Sequence, residues 1–380
     1  MSADQISCRE AISVTRHLDR WRHATDVPSW WGPLWEAASD SSIFLSEDWL
    51  RSWLEVYGRD FDGYWVHWRH GGAVVGGCLL VSRVVWLKFI PLRTFFVNAT
   101  GDARERTPTA EYNDILCLAG FESEVSEDLA NLTMELRWHR LMVSGYQDGL
   151  LSGLVDRFPA RSVESRSSPA AFVDLATIAD QPYEQTLTGK VGSHIRRNRR
   201  LYEKRFGELA ITEATTLDEA MDYFSRLSEL HNNRWRKRGH AGSFSSAAVV
   251  EFHRRLIARL WPTKQVSMVR VGCDRHAFGY LYNYVLQGKV LVFQTGFRYD
   301  EDSSLSPGLL THTLAIEHYR RQGMREYDLL AGDALYKRSL AKDKRDLKWT
   351  IVYRDRLLVR SYLFARKLRD ALSGKQKSDA

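Results

Sequence analysis

The sequence predicts an α/β (α+β) chain made of two copies of one unit, each a mixed, mostly antiparallel sheet flanked by helices. Three observations predict it. Strand, turn, strand patterns occur in both halves, first as YWVHW, RHGG and AVVGGCLLVSR and again as VSMVRV, GCDR and HAFGYLYNYVL. VVGGCL and AFGYLY match in form, small or apolar residues leading into a glycine and then alternating aliphatic or aromatic positions. The C-terminal half reads in order as two helices, an antiparallel meander, a helix and a strand. A dinucleotide-binding fold would instead alternate strand and helix from its start and carry G-x-G-x-x-G after its first strand.

Composition bounds the rest. At 380 residues, 44% hydrophobic and 12% aromatic, the chain can bury more core than one domain usually needs. Cys8, Cys78, Cys117 and Cys273 form no C-x-x-C pair and have no histidine at metal spacing, so no disulfide framework and no metal are expected, and a reducing cytoplasm fits. The N-terminal MSADQISCREAISV carries acids where a signal peptide needs a basic region and an apolar core. AVVGGCLLVSRVVWLKFI, the longest apolar stretch, is interrupted by Arg83, Lys88 and paired glycines and reads as sheet, not as a membrane span. A net charge of +7 and a pI near 9.2 favour anionic partners: nucleotides, RNA or a phospholipid surface.

Taken in order, residues 150–190, with FPARSVESRSSPAAFVDLA, are rich in Ser, Pro and Ala and read as the join between halves. HIRRNRRLYEKR at 194–205 is a basic helix, whose face is either solvated or captures an anion through Arg196, Arg199 and Arg200, with Asn198 on another face. In LDEAMDYFSRLSELHNNRWRKRG, Leu217, Met221, Phe224, Leu227, His231 and Trp235 recur three or four apart, marking an amphipathic helix that stops near Gly239. Arg234 and Arg238 form a basic stripe beside it. His231 is then either a core histidine or a base, its ordinary pKa suiting proton transfer. SAAVVEFHRRLIARLW is a second helix closed by Pro262, and VSMVRV, AFGYLYNYVL and KVLVFQTGF are strands. SSLSPGLL then starts a helix running to Arg321, with Ser306 a good N-cap, Pro307 suited to the first helical position and Gly308 leaving the first turn uncovered. Its unpaired N–H groups and positive dipole end favour a phosphate or another anion. The strand EYDLL follows, and the chain ends in a basic amphipathic helix, which packs on the body or lies on a membrane surface, and a polar tail.

IFLSEDWLRSWLEVYG at 43–58, HIRRNRRLYEK at 194–204, LSELHNNRWRKRG at 227–239 and VFQTGFRYDEDSSLSPGLLTHTLAIEHYRRQGMREYDLLAGDALYK at 292–337 together resemble the CelD-like acyltransferases of the GNAT superfamily, relatives of the FemAB-type peptidyl transferases. The resemblance covers most of residues 40–340. It implies tandem GNAT-like domains at 1–165 and 166–355, with a basic helix and tail at 356–380 and the acyl donor in the second domain. The pyrophosphate of acyl-CoA, acetyl or longer, would lie on Ser306, Pro307, Gly308, Leu309 and Leu310, although the usual paired glycines are here reduced to one. Oxyanion donors would come from the backbone of Gln294, Thr295 and Gly296. Tyr336 would protonate the leaving thiolate, and Asp328, Asp333 or His231 would take the acceptor's proton. Arg196, Asn198, Arg199, Arg234, Trp235 and Lys337 would meet the acceptor.

The implied activity is acyl transfer to an amine or hydroxyl of a sugar, an amino acid or a cell-envelope or exopolysaccharide precursor, in the cytoplasm or at the inner membrane face. Two alternatives stand beside it: an aminoacyl-tRNA-dependent transferase, and a catalytically inactive accessory protein of polysaccharide synthesis. No Ser-His-Asp elbow, Walker loop or metal cluster is present to suggest other chemistry.

Overall fold

The computed structural model describes residues 13–39, 41–87, 89–98, 107–178, 181–187, 189–273, 276–300, 302 and 304–372. The readings of the N-terminus with Cys8, of the centre of the GCDR turn, and of the polar tail fall outside these residues. Two compact units emerge, one from residues 1–101, 112–166 and 349–380 and the other from residues 102–111 and 167–348.

The first unit runs β1 (Thr15–Arg22), α1 (Trp31–Ala37), α2 (Glu47–Tyr57), β2 (Asp62–His70), β3 (Ala73–Leu87), β4 (Ile90–Val97), β5 (Leu116–Cys117), α3 (Glu122–Glu135), β6 (Arg140–Tyr146) and α4 (Leu150–Asp156). Its strands lie in the order β1-β2-β3-β4-β6, antiparallel except for the parallel pair β4 and β6. Ser46 starts α2 by accepting a hydrogen bond from the Trp49 N–H, so the helix sets Trp49, Leu50, Trp53 and Leu54 into the core.

The second unit contains most of β7 (Val163–Asp174), then α5 (Tyr183–Thr186), α6 (Gly189–Phe206), β8 (Leu209–Glu213), α7 (Leu217–Lys237), α8 (Ala247–Leu260), β9 (Val266–Cys273), β10 (His276–Leu286), β11 (Lys289–Phe297), α9 (Pro307–Arg321), β12 (Glu326–Ala331) and α10 (Leu335–Leu340). β13 (Asp343–Tyr353) begins in this unit, while its end and α11 (Leu357–Leu372) belong to the first. The strand order is β7-β12-β11-β10-β9-β8, with only β11 and β12 parallel among the pairs from β12 to β8. Apart from β5 in the first unit and β7, α5 and α6 at the start of the second, both units run strand, two helices, three antiparallel strands, helix, parallel strand, helix.

Two readings are corrected. Residues 150–190 contain a boundary between the units, after residue 166, but are more regular than their composition suggests: Leu150–Asp156 is helical and Val163–Asp174 is a strand. That strand's first half is exposed and polar and only its second half buries Ala170, Ala171 and Val173, so composition hid the alternation. In α7, Tyr223 is buried whereas Trp235 is exposed. No helix among the described residues is long and apolar enough to cross a membrane.

Candidate active site

The site is built where two neighbouring strands of the second unit part. β11 and β12 pair only over Lys289–Leu291 and Glu326–Asp328. Beyond that each strand carries an extra residue relative to its other neighbour. On β11, Gln294 faces Tyr282 while Val292 faces Asn283, leaving Phe293 as a bulge. On β12, the register with β7 slips between Asp328 and Ala331, and Leu330 takes a positive φ of 58°. A cleft of about 790 Å³ opens against the divergent ends, lined by Phe293, Gln294 and Thr295 from one strand and Leu330 and Ala331 from the other. Ser243, Ser245 and Ser246 from the turn before α8, and Thr107, Thr109 and Glu111, add polar groups to its wall.

A second cleft, of about 850 Å³, lies at the start of α9 and is lined by Ser306, Pro307, Gly308 and Leu309 together with His194, Phe297, Tyr299 and Arg234. Tyr336 lines both clefts. The expected cap differs in detail: Ser306 does not bond the first turn, its Oγ lying instead 3.0 Å from His194 Nε2. Asn198, on α6, holds this residue from both sides, its Nδ2 donating to the Ser306 carbonyl at 3.0 Å and its Oδ1 accepting the Ser306 N–H at 3.3 Å. The first turn is therefore left without a side-chain cap, and its residues Pro307, Gly308 and Leu309 line the cleft. At Gly308 a Cβ would come within 3.0 Å of the Phe297 ring, so a larger side chain there must displace that ring or fill the cleft.

The remaining residues singled out in the sequence fall into distinct places. Gln294 and Thr295 line the first cleft, whereas Gly296 lies under α7, where a Cβ would stand 2.6 Å from the Leu227 carbonyl oxygen. Leu310 is fully buried in the core. Asp328 is buried, accepts the Leu330 N–H at 2.7 Å and lies 3.8 Å from Arg345, an arrangement that braces the β12 bulge. Asp333 is exposed and paired with Arg338 at 3.2 Å. His231 is held at both nitrogens, Nδ1 at 3.3 Å from the Thr295 carbonyl and Nε2 accepting from the Ser243 N–H at 3.3 Å, and burial lowers its pKa. Arg196 is exposed, and Arg199 is engaged by Glu184 at 2.6 Å. Arg234 stacks on the Tyr299 ring at 4.7 Å.

Tyr336 and Lys337 head α10 and sit closest to the chemistry the clefts allow. Burial pushes the Tyr336 phenol up to about 12, so it stays protonated through neutral pH. Its ring stacks on His312 with centroids 5.1 Å apart and planes 11° from parallel. Lys337 donates from Nζ to the Leu330 and Ala331 carbonyls at 2.9 and 2.7 Å, tying α10 to the bulge. Burial lowers its pKa, against the opposing pull of Glu111 and Asp328.

Sequence reasoning missed Glu111, His253 and His312. Glu111 reaches the site from a segment more than two hundred residues upstream, where its Oε2 accepts the Ala331 N–H at 2.8 Å, and no local pattern marks it. His253 lines the first cleft and is ringed by Phe224, Phe244 and Phe293, which drives its pKa down to about 3. His312 could have been noticed as a histidine one turn after Gly308 on the buried face of α9. Its Nδ1 meets the Tyr327 hydroxyl at 2.9 Å and its Nε2 has no partner.

The parted β11 and β12 thus lie near the start of α9, with Tyr336 lining the clefts at both places. Residues 189–338 match the family model described as an acetyltransferase (GNAT) domain, so the chain carries a GNAT acyltransferase domain over that stretch. Among solved structures it is similar in fold to FemX, with a TM-score of 0.53 at 8% identity over 84% of this chain and 94% of that one. It is similar to L-PGS from Bacillus licheniformis, with a TM-score of 0.52 at 10% identity over 90% and 97%. No curated protein matches the chain.

Proposed function

We propose that the protein transfers an acyl group from acyl-CoA to an amine or hydroxyl acceptor, with donor and acceptor entering the second unit from the two clefts that meet at Tyr336. That meeting point is the observation that carries the reading. The diphosphate of the donor would rest on the uncapped N–H groups of Gly308 and Leu309, aided by the dipole of α9. The thioester would reach the parted edge of β11, where backbone N–H groups near Gln294 and Thr295 stabilise the oxyanion. As the acceptor nitrogen or oxygen bonds to the carbonyl carbon and the C–S bond breaks, Tyr336 gives its proton to the thiolate. The acceptor's proton passes to Glu111, directly or through water, since Glu111 lines the acceptor cleft and Asp328 does not.

Hydroxyl and amide groups of Thr107, Thr109, Ser243, Ser245 and Gln294 along that cleft suit a hydroxylated acceptor such as a sugar or an envelope or exopolysaccharide precursor. The finer resemblance to CelD-like proteins supports the same class, and the repeated order of elements supports a tandem GNAT-like architecture. The test is calorimetric titration with acetyl-CoA and a long-chain acyl-CoA. Saturable binding to the native chain is expected, with none for Gly308→Trp at an unchanged thermal melt. Binding retained by that variant would remove the α9 start from the donor site.

A further inference from the structure

The last two turns of α7 and the residues after β11 enclose a groove of about 630 Å³ whose wall contains Arg234, Arg236, Lys237, Arg238 and Arg298, with Tyr299 at its floor. Three other arginines of this unit are each matched by an acid: Arg199 with Glu184 at 2.6 Å, Arg205 with Asp300 at 3.3 Å, Arg321 with Glu317 at 2.7 Å. The five groove cations have no acidic partner among the described residues. Arg234 instead lies over the Tyr299 ring, and Arg236 donates to the Asn233 side chain. Five like charges around one concavity repel one another, and they also oppose each other's desolvation. Such a cluster is stabilised when a multiply charged anion enters it.

Guanidinium forks match the oxygen geometry of phosphates and carboxylates, and several cations around one concavity favour a doubly charged phosphomonoester over a single carboxylate. The groove also shares Arg234 and Tyr299 with the cleft at the start of α9, and none of its lining belongs to the cleft between β11 and β12. We propose that this groove is a phosphomonoester subsite, placed so that a ligand whose diphosphate lies at the α9 start sets a further phosphate among Arg236, Lys237 and Arg238. The aromatic floor suits the flat or apolar body to which that phosphate is attached. The placement at α9 rests on the donor reading given above; the recognition of a phosphomonoester by the groove does not.

Two sources share this chemistry, the phosphorylated nucleoside end of the donor and a phosphorylated acceptor. The full-length chain and its Arg236→Ala/Arg238→Ala variant, both positions exposed, are titrated with CoA and with dephospho-CoA, which lacks only the monoester. They are then titrated with glucose 6-phosphate and with glucose in the presence of dephospho-CoA. If the donor supplies the group, CoA binds the native chain at least tenfold more tightly than dephospho-CoA, and the variant binds the two alike. If the acceptor supplies it, the two nucleotides bind alike, and glucose 6-phosphate but not glucose binds the native chain and not the variant. Equal nucleotide binding with no sugar phosphate binding overturns the proposal. So does displacement of CoA by a single-stranded RNA with steep salt dependence that the variant abolishes, which would make the groove an RNA surface. Failure of both nucleotides, with glucose 6-phosphate still bound, would overturn the donor reading alone.

Discussion

Among the described residues Tyr336 occupies the one lining position common to both clefts, and its neighbours hold it there. His312 stacks beneath it and Lys337, next in the chain, anchors α10 through two carbonyls. Under the proposed chemistry Tyr336→Phe removes the proton for the thiolate while keeping the ring stack, so kcat falls by about 100-fold with KM for the donor little changed. A steady-state assay that releases free thiol measures both, and an unaltered kcat would exclude the role. The buried histidines carry a separate consequence for stability. His253 and His312 have folded pKa values lowered to about 3 by burial, while the unfolded chain titrates near the ordinary value of about 6.5. The unfolded state therefore gains protons first as pH falls. Their contribution is complete above about pH 6.5 and is lost towards pH 3, each by roughly 1.4 kcal/mol per pH step. Urea midpoints measured between about pH 7.5 and 4.5 should fall, and less steeply in His253→Phe, whose ring enters an aromatic box and cannot be protonated.

At the scale of elements, the proposed donor cleft depends on a clamp more than on a cap. Asn198 bonds both backbone groups of Ser306, and the start of α9 is fixed by a residue of α6 on the far side of the sequence gap. Asn198→Ala leaves those two groups to find water, at a cost of about 1–3 kcal/mol. Donor affinity should fall with it, read by the same titration as a weaker Kd at unchanged stoichiometry. If stability drops and affinity does not, the clamp is structural only. The proposed acceptor cleft depends on the two bulges. Leu330 at positive φ, Asp328 beneath it and Lys337 across it form one brace, which explains why an acid and a lysine are buried together beside this cleft. Gly296 lets α7 approach β11 closely enough for His231 to reach the Thr295 carbonyl, so Gly296→Val should push α7 away and unfold or loosen the second unit.

At the scale of the whole chain, each unit closes with residues from a distant part of the sequence. Val352, Tyr353 and Val359 are buried in clusters of the first unit. A fragment of residues 1–166 lacks them and is expected to show no cooperative thermal transition, whereas the same fragment mixed with residues 349–380 should regain one. A cooperative melt for the fragment alone would mean that these side chains are dispensable. This exchange is also why a division at residue 165 could not be refined from composition: the boundaries after residues 166 and 348 fall inside the strands β7 and β13.

Local patterns reached a good part of the second unit. The periodicity of Phe224, Leu227 and His231 gave α7 its buried face, the glycine-anchored hairpins gave β9 to β11, and SSLSPGLL marked the start of α9. These features are set by neighbours within a few residues, through side-chain spacing, turn chemistry and the lack of an N–H at proline. The sequence by itself determined the class of elements, their order and the residues of the helix start. Only the tertiary structure decided that Asn198 clamps that start, that β11 and β12 part, that Glu111 reaches the cleft beside them and that five cations gather with no acidic partner among the described residues. Those are juxtapositions of residues remote in the chain, fixed by packing and by hydrogen bonds that no local pattern encodes.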